Sequence, residues 1–340
     1  MREPCDRPFA SSGYDDLTIL LPVTSIGERS YRSCFVHPEY RSIFGAGLMA
    51  GQGVWAAAQS IEKRCVHALK LSISDEPRLD EELEYAVEFA SANAGALCRD
   101  VYAVQGLDML GHMQVHFAGA ESFVTTSRPT CLDDALDGEV ALESESMSME
   151  ATRQVESCMP FAEIRPWVVT PSRALAAGGV RLRVWCRLRQ PLPTRGVWAP
   201  AALTYIAASH ASAALDICRV PGCVEDIEPR SYEFSMRFHR GVFDVNDWLL
   251  LDSAITYSTA HVYSVDTHIL SHTGDLLATS TRKTCPLVTN VGEFQIDSIG
   301  DEHAVLRGNA SQHSGLARCE PRRGNQGGGE GESHRDTEIG

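Results

Sequence analysis

The sequence predicts an α+β fold made of two similar units, each with one long helix surrounded by an antiparallel sheet. Three observations support this prediction. Two segments, residues 44–64 ("FGAGLMAGQGVWAAAQSIEKR") and 200–217 ("PAALTYIAASHASAALDI"), carry small or apolar side chains on nearly every face. Strand-like runs with alternating apolar residues follow each segment. The order of strand, helix and further strands is the same in both halves of the chain.

The first unit is predicted to begin with a strand before its helix and to continue with four strands after it. The strands are expected at residues 31–36, 66–73, 83–90, 96–104 and 112–117. A helix that is apolar on nearly all sides must be surrounded by protein rather than laid on a surface. A curved antiparallel sheet can surround it, and small side chains allow the strands to come close. A membrane span is the alternative, but glycines and Gln52 interrupt the segment and its length is marginal.

The second unit repeats this pattern with two strands before its helix and four after it. These strands are predicted at residues 164–170, 180–187, 232–238, 248–256, 262–270 and 277–285. The sequence "HTGD" at residues 272–275 predicts a hairpin turn between the last two of them.

Changes in composition predict the domain boundaries. The first unit is expected to cover residues 1–125 and the second residues 159–292. Residues 126–158 are expected to form an acidic linker, because positions 133–150 hold seven acidic and no basic residues. Residues 293–340 are expected to form an extension and a disordered tail, which is Gly-rich and polar from about residue 310.

Charge and cysteine content restrict the partners and the cell compartment. The net charge of −15 over 340 residues argues against binding to nucleic acid or to an anionic membrane surface. The N-terminal residues lack the blocks of a signal peptide, and no uncharged run is long enough to span a bilayer. Eleven scattered cysteines without CxxC spacing are typical of a reduced, cytoplasmic protein. No spacing of metal ligands and no nucleotide fingerprint is present, so neither a metal nor a cofactor is expected.

Several motifs resemble those of the acyl-CoA thioesterase II family, whose members have a double hot-dog fold. The sequence "RSIFGAGLMAGQGVWAAAQSI" resembles the "VFGGQVLAQALxAA" helix of that family. In the second unit "AEIRP", "RVWCR", "FSMRFHRGVFDVNDWLLLDS" and "GDLLATSTRK" recur in the family's order. The resemblance extends over about residues 17–287 and implies a thioester substrate.

The resemblance also implies where the catalytic residues lie, and this chain differs there. In the family an Asp, a Thr and a Gln orient and activate water beside the thioester. The Asp position falls on Ala208 or, with a slip of one residue, on Ser209, so the carboxylate is absent. Ser231 stands at the Thr position and retains a hydroxyl, and Arg282 stands at the Gln position. Arg282 is permanently charged and can bind a carboxylate, a phosphate or an oxyanion, but cannot act as a base.

Four further positions complete the candidate site. Gly45 and Ala46 are expected at the start of the first helix, where free backbone N–H groups can stabilise an oxyanion. His210 is a candidate replacement base, although a shift of two residues turns it by about 200° from Ala208. A hydrogen-bonded structural histidine is the alternative there. His67 matches a family position that faces the first helix, and a buried structural histidine is again the alternative.

Together these features predict a thioesterase-like hydrolase that acts on a fatty or polyketide-type acyl thioester of CoA or of a carrier protein. Two alternatives remain. One is a hot-dog enzyme with non-hydrolytic chemistry, such as isomerisation, cyclisation or product release in a specialised biosynthetic pathway. The other is an inactive acyl-binding protein. A monomer with two joined units would be structurally complete, although exposed sheet edges could still pair in a homo-oligomer.

Overall fold

A single antiparallel sheet of thirteen strands carries two long helices on one face. The computed structural model describes residues 16–33, 41–75, 77, 81–92, 96–123, 153, 155–156, 159–165, 169–171, 180–217, 232–257 and 263–284. All of them lie in the larger of two units, Met1–Val288. The helices are α1 (Leu17–Leu20), α2 (Arg41–Ala58) and α3 (Trp198–Ile217).

The strands fall into two groups that follow the predicted halves of the chain. The N-terminal group consists of β1 (Thr24–Ser25), β2 (Ser30–Arg32), β3 (Cys65–Ile73), β4 (Glu84–Ala92), β5 (Ala96–Gln105) and β6 (Asp108–Ala118). The C-terminal group consists of β7 (Ala162–Arg165), β8 (Val169–Pro171), β9 (Val180–Leu188), β10 (Tyr232–Phe238), β11 (Leu249–Tyr257), β12 (Tyr263–Ser271) and β13 (Leu276–Thr284). Their order across the sheet is β1-β2-β4-β5-β6-β3-β10-β13-β12-β11-β9-β7, with β8 also paired to β9.

The two groups join edge to edge through β3 and β10. These strands pair antiparallel, with Leu71 opposite Phe234 and Leu69 opposite Met236. Each of these side chains is at most 3% exposed, whereas Lys70 between the two leucines is exposed. The alternation puts one apolar face of both strands under the helices. The core is therefore continuous across the junction.

Helix α2 and helix α3 run antiparallel and in close contact. A Cβ on Gly51 would lie 3.1 Å from the Ala201 carbonyl oxygen, and a Cβ on Gly47 would lie 3.2 Å from that of Tyr205. Further along, the rings of Trp55 and Trp198 meet edge to face at 4.4 Å between centroids. Later residues of α2 thus meet earlier residues of α3. The glycines are needed because any side chain there would hold the helices apart.

The polar residue inside α2 is fully paired. Gln52 is completely buried, donates to the Leu20 carbonyl oxygen at 2.7 Å and accepts from the Tyr85 hydroxyl at 2.8 Å. These bonds fix α1 and β4 against α2 and offset the cost of burying an amide. No helix among the described residues is long and apolar enough to span a membrane.

Most predicted elements are confirmed, with differences at their ends. The strand predicted at 164–170 is two short strands, β7 and β8, that both pair with β9. The predicted hairpin turn lies between β12 and β13, with Gly274 at a φ of +82°. The short elements α1 and β1 were not predicted, because four and two residues are too few for a periodicity. Residues 126–152 and 285–340 lie outside the described residues, so the linker and tail remain predictions.

The cysteines that the structure describes are free thiols. Cys186 and Cys98 are buried and Cys65 is half-buried. Burial raises the pKa of the Cys186 thiol to about 12, so it stays protonated and behaves as a small apolar side chain.

Candidate active site

Arg282 is a buried cation at the end of β13. Its side chain faces α3, on the same side of the strand as Ala278 and Ser280, and it is only 8% exposed. The guanidinium carbon lies 4.0 Å from the centre of the Tyr232 ring. Nη1 donates a hydrogen bond to the Ser212 hydroxyl, while the buried Nε has no hydrogen-bond partner among the residues that the structure describes.

No carboxylate pairs with Arg282 among the residues that the structure describes. Half-buried arginines elsewhere in the sheet differ from this one. Arg181 and Arg183, for example, both reach Asp252, at 2.5 and 3.4 Å. A buried charge without a counter-charge costs several kcal/mol. Such a group is a candidate for binding an anion, because an anionic ligand would offset that cost.

Ser212 connects Arg282 to the helical position where the resemblance puts the family's carboxylate. The Ser212 hydroxyl donates to the Ala208 carbonyl oxygen at 3.0 Å, one turn earlier on α3. Residues four apart lie on one face of a helix. Ala208, which is 2% exposed, therefore shares the face of α3 that meets Arg282. The sequence alignment of Ala208 and Arg282 with two catalytic positions is thus consistent with their placement in space.

Ser209 faces the other helix. A Cβ on Gly47 would collide with the Ser209 hydroxyl, so the two residues lie directly opposite each other where α2 and α3 cross. Ser209 is 2% exposed and its hydroxyl oxygen is buried without a hydrogen bond among the described groups. It lies one residue from Ala208 and adds a second buried polar atom to this part of the interior.

His210 points to a different part of the sheet. Its Nε2 lies 2.9 Å from the Ser253 hydroxyl on β11, which in turn lies 2.8 Å from the Thr267 hydroxyl on β12. Arg282 is on β13, two strands from Ser253, or about 10 Å at normal strand spacing. Complete burial lowers the pKa of His210 to about 4, so the ring is neutral at pH 7. The structure does not bring His210 and Arg282 together.

The prediction that Gly45 and Ala46 lie at the start of the first helix is wrong. Helix α2 begins at Arg41, so both residues lie in its second turn, where backbone N–H groups bond within the helix. The groups left free are those of the first turn, at residues 41–44. Continuing the antiparallel contact by one turn places this end of α2 beside Ser212 and Leu215 of α3. The positive end of the α2 dipole and Arg282 thus lie at the same end of the helix pair.

His67 lies apart from this region, at a bulge in β3. The register shifts between Val66 and Ala68, and the half-buried His67 ring meets Phe123 edge-on at 5.4 Å. Desolvation and the nearby Arg237 charge lower the pKa of His67. Arg282 pairs through Phe234 with Leu71, four residues further along β3, or about 13 Å away. The structure therefore does not bring His67 to Arg282, and a bulge interrupts the regular alternation of β3 at this residue.

Ser231 lies outside the described residues, so its placement remains a prediction. Its neighbour Tyr232 opens β10 and supplies the ring beneath Arg282. Sequence reasoning missed Ser212 and Tyr232. The signal for Ser212 was its spacing of four residues from Ala208 on a predicted helix.

A surface cleft of about 250 Å³ lies at the opposite end of α2. Its lining includes Arg29, Phe89 and Arg99, and none of the candidate site residues. Arg99 donates to the carbonyl oxygens of Ala57 and Gln59, at 2.8 and 2.6 Å, and so caps the C-terminal end of the helix. Arg99 therefore has a structural role in this cleft.

The comparisons with known proteins agree with this architecture. The family model described as acyl-CoA thioesterase C-terminal domain matches residues 137–285. A TesB protein of Mycobacterium avium subsp. paratuberculosis is 17% identical, with a TM-score of 0.60 over 79% of this chain and 97% of that one. The acyl-CoA thioesterase II TesB2 of Mycobacterium marinum is 20% identical, with a TM-score of 0.57 over 78% and 94%.

A third solved structure identifies the fold by its description. It is a hot-dog fold protein from Alicyclobacillus acidocaldarius, 15% identical, with a TM-score of 0.54 over 79% of this chain and 98% of that one. No curated protein sequence matches the chain. The described strands and helices of this chain therefore adopt a hot-dog fold.

Proposed function

We propose that this chain is a member of the acyl-CoA thioesterase family, whose C-terminal domain model matches residues 137–285, and that it hydrolyses a fatty or polyketide-type acyl thioester of CoA or of a carrier protein. We also propose that it is a double hot-dog protein, with one unit at residues 1–125, a linker at 126–158, a second unit at 159–292 and an extension at 293–340. The antiparallel pair of long helices and the junction of two strand groups at β3 and β10 support this arrangement.

The observation that carries the function is the buried charge of Arg282, which has no carboxylate partner among the described residues and is linked through Ser212 to Ala208. In thioester hydrolysis, water adds to the carbonyl carbon and the carbonyl oxygen becomes an oxyanion. The C–S bond then breaks, and a proton passes to the thiolate to give a free acid and a thiol. Free N–H groups in the first turn of α2 suit the oxyanion. Gly45 and Ala46 keep the next turn small enough for the thioester to approach.

Arg282 adds a fixed positive charge to this part of the interior. In a medium of low dielectric constant, a fixed charge acts more strongly on a developing anion than it does in water. Ser212 restrains one end of the guanidinium and Tyr232 covers its face, so its orientation is set before substrate binds. The buried Ser209 hydroxyl, which has no hydrogen-bond partner among the described residues, offers a further hydrogen bond to the substrate.

Activation of water is the step for which this site differs from its relatives. Ala208 supplies no base, and we assign the orientation of water to the Ser231 hydroxyl. His210 acts as a positioning residue, because its bond to Ser253 holds α3 on the sheet. Without a carboxylate base, hydrolysis is expected to be slow, since general base catalysis typically contributes about 100- to 10,000-fold.

The missing carboxylate also supports a second candidate function. A site with a fixed cation and no base suits stabilisation of an enolate or retention of an acyl group better than attack by water. Non-hydrolytic acyl chemistry or acyl binding without turnover is therefore the alternative, and it rests on Ala208.

The test is release of free thiol from acyl-CoAs and acyl carrier proteins of several chain lengths, followed with a thiol reagent. Hydrolysis above the buffer rate that falls in Arg282→Gln, but not in the exposed control Arg237→Gln, is the expected result. Tight binding of acyl-CoA with no thiol released, and no change in the bound acyl group by mass spectrometry, would establish acyl binding instead.

A further inference from the structure

The resting protein holds a buried positive charge that hydrolysis alone does not account for. Arg282 is 8% exposed, has no carboxylate partner in the described part of the chain and leaves Nε unpaired. An oxyanion exists only transiently during reaction, so it would leave this charge uncompensated in both the free and the substrate-bound protein. A ligand group that is already anionic when it binds would compensate the Arg282 charge for as long as the ligand is bound.

The charge of Arg282 and the short side chain of Ala208 suit such a group. The resemblance puts a carboxylate where Ala208 stands, and the methyl group of Ala208 shares a helix face with Ser212, the hydrogen-bond partner of Arg282. The site therefore combines the short side chain of Ala208 on α3 with the cation of Arg282 on β13. A carboxylate brought by a ligand would meet a guanidinium, which binds carboxylates through two parallel N–H groups.

A second feature favours an anion at the same end of the helix pair. The antiparallel contact of α2 and α3, fixed by Gly47 opposite Ser209 and Trp55 opposite Trp198, brings the first turn of α2 to the level of Ser212. That turn of an 18-residue helix carries free N–H groups and the positive end of the dipole. The Tyr232 ring beneath Arg282 keeps water from one face of the guanidinium.

From this geometry we infer that the acyl group of the substrate carries its own carboxylate, which pairs with Arg282. The substrate class is then an ω-carboxyacyl or other acidic acyl thioester rather than a plain fatty acyl thioester. That the substrate is a thioester rests on the proposed function. That its acyl group carries an anion rests on Arg282 alone.

The first experiment compares carboxyacyl-CoAs of three to six carbons with saturated acyl-CoAs of the same chain length. We expect kcat/KM to favour the carboxylate by roughly 10- to 100-fold at the best length, the range of a hydrogen bond to a charged group. Arg282→Gln should remove that preference, because kcat/KM for the neutral substrate falls through the loss of oxyanion stabilisation alone, whereas kcat/KM for the carboxyacyl substrate falls further through the additional loss of the carboxylate partner. Arg237→Gln, which changes an exposed arginine on the outer face of β10, should leave the ratio unchanged.

A second variant tests the pairing from the opposite side. Ala208→Asp would place a carboxylate beside Arg282 and compete with the substrate, so it should abolish the preference and weaken binding of the carboxyacyl group. Ala208→Asn has nearly the same size and no charge, and should retain part of the preference. The inference would be overturned if kcat/KM were equal for the carboxyacyl-CoA and the saturated acyl-CoA of each length. It would also be overturned if Arg282→Gln lowered kcat/KM by the same factor for both substrates. Either result would leave the proposed hydrolysis intact.

Binding of thioether analogues, which cannot be hydrolysed, separates the inference from the proposed function. Calorimetry with a carboxyalkyl-CoA and the matched alkyl-CoA gives the preference without any turnover. A preference that depends on Arg282 in a protein that releases no thiol from any thioester would support the anion site and overturn hydrolysis. Hydrolysis with no preference for the carboxylate in kcat/KM or in binding would support the proposed function and overturn the anion site.

Discussion

The Nη1 group of Arg282 donates a hydrogen bond to the Ser212 hydroxyl, which itself donates to the Ala208 carbonyl oxygen. These two hydrogen bonds connect β13 to the turn of α3 where the resemblance implies a carboxylate. It is the point at which Ala208 and Arg282, the two positions where this sequence departs from the family that it resembles, are connected.

Removing the Arg282 charge should stabilise the fold while lowering activity. Replacing a buried ionic group by an apolar one of similar size is often neutral or stabilising by about 1–4 kcal/mol, and among the described residues Arg282 has no carboxylate partner to lose. We expect Arg282→Met to raise the urea midpoint and to lower kcat/KM at least about 10-fold, the size of one charged hydrogen bond. Arg237→Met, at an exposed position, is the control for both measurements. A less stable Arg282→Met protein would show that the guanidinium is a structural element instead.

The hydroxyl of Ser212 should matter through Arg282. Ser212→Ala removes the acceptor that restrains Nη1, so the guanidinium loses its fixed orientation. We expect kcat/KM to fall about 10-fold, with a change in unfolding free energy of about 1 kcal/mol. Ser212→Thr keeps the hydroxyl and should recover most of the activity. If Ser212→Ala lowers kcat/KM by the same factor in the Arg282→Gln protein as in the wild type, the two residues act independently. The hydrogen bond between them would then not contribute to catalysis.

Fold and site differ in how far the sequence could predict them. Two helical segments without a polar face require a surrounding sheet, and that requirement predicted α2, α3 and the strands around them. It could not predict the edge-to-edge junction of β3 with β10, because both strands have the same alternation as any half-buried strand. Nor could it predict that Gln52 pairs with Tyr85, since the two are distant in sequence and neither belongs to a motif.

For the site, motif order located Arg282 and Ala208 but not what surrounds them. A serine such as Ser212 is common on exposed helix faces, so only the register of α3 on β13 reveals its role. Gly45 was expected at the helix start because the run of small and apolar residues begins at residue 44, yet the helix begins at Arg41. The bulge at His67 has no signature in "CVHALKL", which alternates like a regular strand.

The contact between the two long helices should not tolerate a side chain at Gly51. A Cβ there would lie 2.8 Å from Leu21 Cδ2 and 3.1 Å from both the Ala201 carbonyl oxygen and Tyr205 Cβ. Overpacking of this kind costs about 1–3 kcal/mol, which exceeds the gain of about 0.5–1 kcal/mol from replacing glycine in a helix. Gly51→Ala is therefore expected to lower the urea midpoint. Gly27→Ala is the control, because its nearest neighbour would be 3.6 Å away. Equal midpoints for both variants would contradict the close antiparallel contact.

His210 should make the fold less stable as the pH falls. Its pKa is about 4 in the folded protein, against an ordinary value of 6.5, because burial disfavours the charged ring. Above pH 6.5 both folded and unfolded states are neutral and the full stability is present. Between pH 6.5 and 4 the unfolded state takes up a proton that the folded state does not, so stability falls by up to about 1.4 kcal/mol per pH unit. Urea unfolding from pH 7.5 to 4.5 should show this slope, reduced in His210→Gln by more than in the exposed control His116→Gln. An unchanged slope in His210→Gln would mean that His210 takes up protons equally in the folded and unfolded states, and would contradict a lowered pKa in the folded protein.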